Sequence, residues 1–197
     1  MNGLFYMLVN FAILGLLSLS TLSADDDYKI PPKAIADLVD APVTPSINLS
    51  PDKKHLLILE RTSLPSIAEL SQPELRLAGL RINPKTNGRS RTNNYKSIII
   101  KNIDSNKEKK VRGLPKSSHI SNVFWAPNGK HIAISVINGD RINLYLADVK
   151  NGKAKLLIKK PLNAVYGSAV YWLSDSEGLI AVSYTHLRAH ETREDLV

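Results

Sequence analysis

Three stretches of the chain share one pattern of apolar and polar positions: an apolar run, a short polar turn, and a second apolar run. They cover residues 47–59, 123–135 and 170–182. The first two turn on Pro51-Asp52 and Pro127-Asn128; the third, around Ser174-Asp175-Ser176, is degraded. Proline at such a position presets φ near −65°, and Asp or Asn next to it favours a tight reversal. The flanking runs have strand length and β-rich composition. After the second copy, residues 142–149 alternate as a further strand, Asn151-Gly152 makes a turn, and residues 154–158 form a fourth. Four strands per unit is the make-up of a β-propeller blade. Val123 and Val170 lie 47 residues apart, within the ~40–50 residues of such a repeat. Ile47 and Val123 lie 76 apart, so the first unit carries an insertion. Residues 64–94 supply it, punctuated by prolines and Asn-Gly and without strand periodicity, with a short helix between Ser66 and Leu75; residues 98–103 resume as a strand. The expected fold is all-β: a partial β-propeller with two four-stranded blades and the start of a third, after an N-terminal signal peptide. Closed propellers need at least four blades, so this stretch does not close by itself. A β-sandwich with coincidental turns is the competing reading, and the matching flanks of the copies count against it.

Residues 4–22 form an almost unbroken apolar run, followed by Ser23, Ala24 and then Asp25-Asp26-Asp27. Small residues ahead of a polar stretch read as a secretory signal peptide over residues 1–24, cleaved after Ser23 or Ala24. The run carries no Lys or Arg ahead of it, which leaves an uncleaved anchor as the alternative. The expected location is exported, periplasmic or secreted, with no stable membrane span if the signal is cleaved.

Composition narrows the chemistry. The 197 residues contain 26 Lys and Arg, 18 Asp and Glu and no cysteine. Zero cysteines excludes a disulfide scaffold, a Cys-ligated zinc, an iron–sulfur cluster and a thiol nucleophile. The net charge of +8 falls wholly within residues 25–197. Its clusters, Lys53-Lys54, residues 107–112 and Lys159-Lys160, have no interleaved aromatics and read as solvated turns rather than a nucleic-acid surface. His55 and His131 occupy matching turn-exit positions, which points to a role in the repeat. Trp125 and Trp172 are expected to pack between neighbouring blades. Asn48-Leu49-Ser50 is a glycosylation sequon placed within an expected strand. No catalytic, cofactor-binding or metal-binding residue is assigned, and no cofactor is expected.

Two blocks carry a family resemblance. Residues 28–42 (Tyr-Lys-Ile-Pro-Pro-Lys-Ala-Ile-Ala-Asp-Leu-Val-Asp-Ala-Pro) and residues 73–84 (Pro-Glu-Leu-Arg-Leu-Ala-Gly-Leu-Arg-Ile-Asn-Pro), followed by Ser90-Arg91, resemble the glutamyl endopeptidases of the prolyl oligopeptidase family of serine peptidases. The resemblance covers about residues 28–182. It implies a propeller roofing an α/β-hydrolase domain with a Ser-Asp-His triad, the serine in a G-x-S-x-G elbow. Substrates would be peptides, cleaved after glutamate and reached through the hydrolase domain. No G-x-S-x-G occurs here, so no catalytic position carries over, and the chain reads as an N-terminal propeller fragment that is inactive alone. Glutamate preference needs a cationic subsite, and Arg76, Arg81, Arg89 and Arg91 of the insertion are the candidates to reach toward it. Two other readings remain: an exported binding or scaffolding propeller of the TolB type, and a nucleic-acid or membrane-surface binder supported only by the charge.

Beyond Val182 the alternation is lost. Residues 183–197 resemble a peptide translated from a sequencing adapter and read as a non-native tail, leaving residues 25–182 as the propeller region. His186 and His190 stand at i, i+4, but Leu187 occupies the place of the general-base glutamate of a zinc-protease motif, so no metal site is expected.

Overall fold

The computed structural model describes residues 31–61, 64–116 and 119–183. The expected signal peptide, and the tail with His186 and His190, lie outside the described residues. The described part is all-β, with two short helices.

Helix α1 (Lys33–Val39) belongs to a compact unit separate from everything after Asp40. Proline at its N-cap suits a position with no helical hydrogen bond to lose. Lys33 Nζ lies 2.7 Å from the Asp37 carboxylate one turn on, a pair that supports an isolated helix by a few tenths of a kcal/mol.

From Ala41 onward, two antiparallel four-stranded meanders and a hairpin follow one another. The first meander is β1 (Ser46–Leu49), β2 (His55–Arg61), β6 (Tyr95–Asn102) and β7 (Glu108–Lys110). The second is β8 (His119–Trp125), β9 (His131–Asn138), β10 (Arg141–Asp148) and β11 (Ala154–Leu156). The hairpin pairs β12 (Val170–Trp172) with β13 (Leu179–Ala181). Two backbone pairings join the meanders: Tyr95 with Ile120, and Arg112, just past β7, with Lys153 at the entry to β11.

The repeat read from the sequence recurs bond for bond. Lys53 N donates to Ser50 O at 2.9 Å, Gly129 N to Ala126 O at 2.9 Å, and Ser176 N to Leu173 O at 3.0 Å. The next pair closes each turn: Ser50 N to His55 O, Ala126 N to His131 O, Leu173 N to Gly178 O. In each, the Asp or Asn side chain accepts from the backbone two residues on, at Lys54, Lys130 and Glu177, the usual device of an Asx turn. The third position is left-handed in all three, with φ of 58° at Lys53, 68° at Gly129 and 64° at Ser176. Neighbouring turns also touch. A Cβ on Gly129 would meet the Asp52 carboxylate at 2.9 Å, and Asn128 N donates to Ser176 Oγ at 3.0 Å.

Because successive strand residues point to opposite faces, the second meander builds two cores. Ile132, Ile134 and Val136, with Tyr145, Ala147 and Val149, face the first meander and pack on Leu57, Leu59, Ile98 and Ile100. Ala133, Ile142 and Leu144 face the other way, onto Leu162, Ala169 and Val170. Trp125 packs against the first core and Trp172 against the second, as expected between neighbouring units. Trp172 Nε1 donates to the Phe124 carbonyl at 3.3 Å, whereas the equivalent nitrogen of Trp125 is buried without a partner.

The outermost faces are open. On the first meander Ile47 and Leu49, paired with Ile58 and Leu56, are 66% and 49% exposed. On the hairpin the facing pair Tyr171 and Ile180 are 56% and 57% exposed. Among the described residues, no helix is long and apolar enough to cross a membrane.

The repeat makes a testable distinction between two left-handed glycines. Gly129→Ala and Gly139→Ala should each lose ~1–2 kcal/mol for a side chain in that conformation. Only Gly129→Ala also drives a methyl into Asp52, since open space surrounds Gly139. Denaturant unfolding should therefore rank Gly129→Ala clearly below Gly139→Ala; equal losses would contradict the turn-to-turn contact.

Candidate functional site

The insertion between β2 and β6 departs from expectation. Residues 64–94 were expected to lack strands, yet three short ones form a small sheet: β3 (Leu75–Leu77), β4 (Leu80–Asn83) and β5 (Gly88–Arg89). The signal was a short one. Leu-Arg-Leu and Leu-Arg-Ile alternate on either side of Ala78-Gly79, and those two residues have φ of 47° and 81°, the paired positive angles of a two-residue hairpin turn. Three residues of alternation per side fall below the length at which a period can be read. The expected helix is present as α2 (Ile67–Leu70). Ser66 Oγ caps it by accepting from Glu69 N at 3.2 Å, half of a capping box. The Glu69 carboxylate instead accepts from Asn94 Nδ2 at 3.2 Å, which ties the helix to a buried residue at the entry to β6.

Glu74 is the hub of this sheet, and sequence reasoning missed it. Arg76 Nε reaches its Oε1 at 3.1 Å and Arg81 Nη1 reaches the same oxygen at 3.3 Å. Arg91 Nε lies 3.1 Å from Oε2, to which Ser90 Oγ donates at 2.8 Å. Antiparallel pairing of Arg76 with Arg81 puts both on one face of the hairpin, and the return strand brings Ser90 and Arg91 to the other oxygen. The Ser90 hydrogen bond, then those from the arginines, hold the Glu74 carboxyl below its ordinary range, with burial opposing. Three of the four arginines singled out in the sequence are thus brought together, around an anion of the chain itself.

Arg89 is the exception. Among the described residues it has no carboxylate within ion-pair distance, and it lines a cavity of about 300 Å³ between the insertion and the second meander. Arg91, Asn94 and Thr86 share that cavity, with His119 and the tip of the β9–β10 hairpin across from them. Arg89 also borders a neighbouring cavity of about 420 Å³ that Asn122 and Ser168 line.

The remaining singled-out residues serve the repeat. His55 and His131 accept the closing hydrogen bonds of their turns through backbone oxygens. His55 Nδ1 lies 4.0 Å from Asp52, beyond hydrogen-bond reach, and its Nε2 is 3.4 Å from Asn102 Nδ2. The Ser50 hydroxyl, more than any neighbouring charge, lowers the Asp52 pKa. Asn48 and Leu49 end β1 and Ser50 opens the turn, its hydroxyl occupied by His55 N and Asp52. Among the described residues, no three His, Asp or Glu side chains gather as a metal site.

Fold and site together define an all-β repeat array carrying a cationic insertion. No protein-family model matches the chain. A probable chloroplastic glutamyl endopeptidase of Oryza sativa subsp. japonica is 39% identical over 171 residues, 80% of this chain and 18% of that protein. Its counterpart in Arabidopsis thaliana is 35% identical over 186 residues, 85% of this chain and 19% of that protein. The chain is therefore a relative of the glutamyl endopeptidases, and it spans about a fifth of the length of the curated relatives it matches. Two solved structures are also similar. One is a Bacteroides ovatus dipeptidyl aminopeptidase IV homologue (TM-score 0.39, 16% identity, 64% of this chain and 19% of that one). The other is dipeptidyl peptidase 4 of Porphyromonas gingivalis (TM-score 0.42, 14% identity, 65% of this chain and 19% of that one).

The Glu74 hub makes a pH prediction. A carboxyl whose pKa is lower folded than unfolded contributes stability that is present above the unfolded value, ~4.3 for glutamate. That stability is lost as pH falls through the folded value. Amide protection in β3 to β5 should therefore decline below about pH 4, while β8 to β10 hold. Glu74→Gln should lower protection of the small sheet and flatten its pH dependence. A sheet whose protection ignores both the substitution and the acid range would contradict the hub.

Proposed function

We propose that this chain is the propeller portion of an exported serine peptidase that cleaves peptide bonds, with preference for glutamate, and whose catalytic domain lies elsewhere in a longer protein. The observation that carries the reading is the 39% identity to a glutamyl endopeptidase along 80% of this chain. The three-fold turn repeat and its alternating cores support the propeller part of it: each meander is a blade, and the open faces of the first meander and the hairpin await further blades. The same match favours a peptidase over a TolB-type scaffold. Export rests on residues 1–24 alone, as a cleaved signal peptide; residues 25–182 are then the propeller region and residues 183–197 a non-native tail.

In this reading the chain contributes access and recognition. A ring of blades over the catalytic domain admits flexible peptides and excludes folded proteins. The chemistry needs a serine nucleophile, a histidine base and an aspartate to orient it. No G-x-S-x-G is present among the 197 residues, so bond cleavage is left to the longer protein. Nucleic acid is not a partner in this reading.

The purified 197-residue chain should turn over neither glutamyl nor prolyl peptide substrates. Turnover that a serine-directed inhibitor abolishes would contradict the assignment. Reading the gene beyond the codon for Val182 should reveal an open frame of several hundred codons leading to a G-x-S-x-G motif.

A further inference from the structure

We propose that Asn138, at the tip of the β9–β10 hairpin, is a site of self-modification: the backbone nitrogen of Gly139 attacks its side-chain amide and converts it to aspartate and isoaspartate. The proposal stands apart from the peptidase reading, since it needs only the geometry of the hairpin.

Asn-Gly is the dipeptide in which this chemistry meets least hindrance, because glycine puts no β-carbon beside the attacking nitrogen. The chain contains it five times. Asn2-Gly3 lies outside the described residues, and the structure separates the other four. Attack needs a glycine N–H that is free of a hydrogen bond and an asparagine side chain that can turn onto it. Gly129 N is bonded to Ala126 O at 2.9 Å and Gly152 N to Asp148 O at 2.8 Å. The side chains ahead of them are held too, Asn128 Oδ1 by Lys130 N at 2.9 Å and Asn151 Oδ1 by Lys153 N at 2.7 Å. Gly88 is buried in β5 opposite Asn83, and the Asn87 carbonyl accepts from Ala164 N at 2.8 Å.

Asn138-Gly139 differs on each count. Asn138 pairs with Arg141, so Gly139 and Asp140 form a two-residue turn, with φ of 62° at Gly139 and no positive φ at Asp140. Glycine at the first central position makes it a type II′ turn. Such a turn is closed by bonds between its flanking residues and leaves the Gly139 N–H pointing outward. Among the described residues no hydrogen bond engages Gly139 N or the Asn138 side chain. Residues 138–141 are exposed, and open space surrounds Gly139.

Gly139 N gives up its proton to hydroxide and bonds to Asn138 Cγ, the Cγ–Nδ2 bond breaks, and ammonia departs from a five-membered succinimide. Water then adds to one of the two ring carbonyls. Opening at Cγ gives aspartate. Opening at the backbone carbonyl gives isoaspartate, which routes the main chain through the side chain and lengthens it by one carbon. Either product adds a negative charge close to Asp140, at the rim of a cavity lined by Arg89, Arg91, Glu69 and Glu74 alike. Isoaspartate also spoils the two-residue closure, so the first ladder pair behind the tip, Ile137 with Ile142, loses support.

The test holds the whole 197-residue chain at mildly alkaline pH, with and without denaturant, and follows the four described Asn-Gly sites by peptide mass mapping. In the folded chain the Asn138 peptide should gain aspartate and isoaspartate several-fold faster than those of Asn87, Asn128 and Asn151, and faster still as pH rises. In denaturant the four rates should converge, because every glycine N–H is then released. Asn138→Gln should abolish the product and leave the fold unchanged, since the longer side chain closes its ring far more slowly. Asn138→Asp supplies the aspartate product alone and should keep the amide protection of Ile137 and Ile142. The aged wild-type chain, fractionated for isoaspartate, should lose protection there. A folded chain in which any of the other three sites reacts as fast as Asn138 would overturn the proposal. So would an Asn138 that stays intact in the folded chain under conditions where the denatured chain reacts.

Discussion

The fold depends on two-sided alternation in the second meander. Each of its central strands sends one residue toward the first meander and the next toward the hairpin, so Ile132 and Ala133 belong to different cores. A slip of one residue would exchange the two sets, placing Ser135 where Ile134 belongs and breaking both cores at once. The Pro-Asp and Pro-Asn turns prevent that slip. Their paired backbone bonds and left-handed third residue fix which strand residue faces which, and the turns of neighbouring units brace one another at Asp52, Gly129, Asn128 and Ser176. Register is therefore set locally, before the long-range packing that rewards it.

The scaffold and the insertion answer to different physical demands. Repeated units need only apolar alternation and a dependable turn, and they spend little charge. The insertion has no core of comparable size and is held by ion pairs converging on Glu74, a half-buried carboxylate among three guanidinium groups. Such an arrangement is specific in direction and sensitive to pH and salt. Placing a cationic, cavity-bordering element on a rigid array is a common way of positioning recognition residues.

Much of this was legible in the sequence because the repeat is written in spacing. The offsets of 76 and 47 residues align Ser50 with Ala126 and Leu173, and the same three residues close equivalent hydrogen-bonded turns. The four-strand order of the second unit follows from residues 142–158 in the same way. What escaped was short or non-local. β3 to β5 are two to four residues long, too brief for a period to rise above their proline and asparagine neighbours. The role of Glu74 was hidden because its partners lie 2, 7, 16 and 17 positions away, and only the folded hairpin brings them to two oxygens. The four arginines were visible as a group; that three neutralise an internal anion and one stays free was not.

The alternation also assigns a meaning to the open face of the first meander. Ile47, Leu49, Leu56 and Ile58 occupy the positions that Val123, Trp125, Ile132 and Ile134 hold in the second, where the preceding unit covers them. In the proposed propeller, a further unit would cover the first face as well. The decisive measurement is the solvent accessibility of Ile47 and Leu49 in an experimental structure of the longer protein proposed above. The account predicts that both are buried against alternating apolar residues of another antiparallel sheet. Finding them in solvent, or covered by anything other than a stacked sheet, would contradict it.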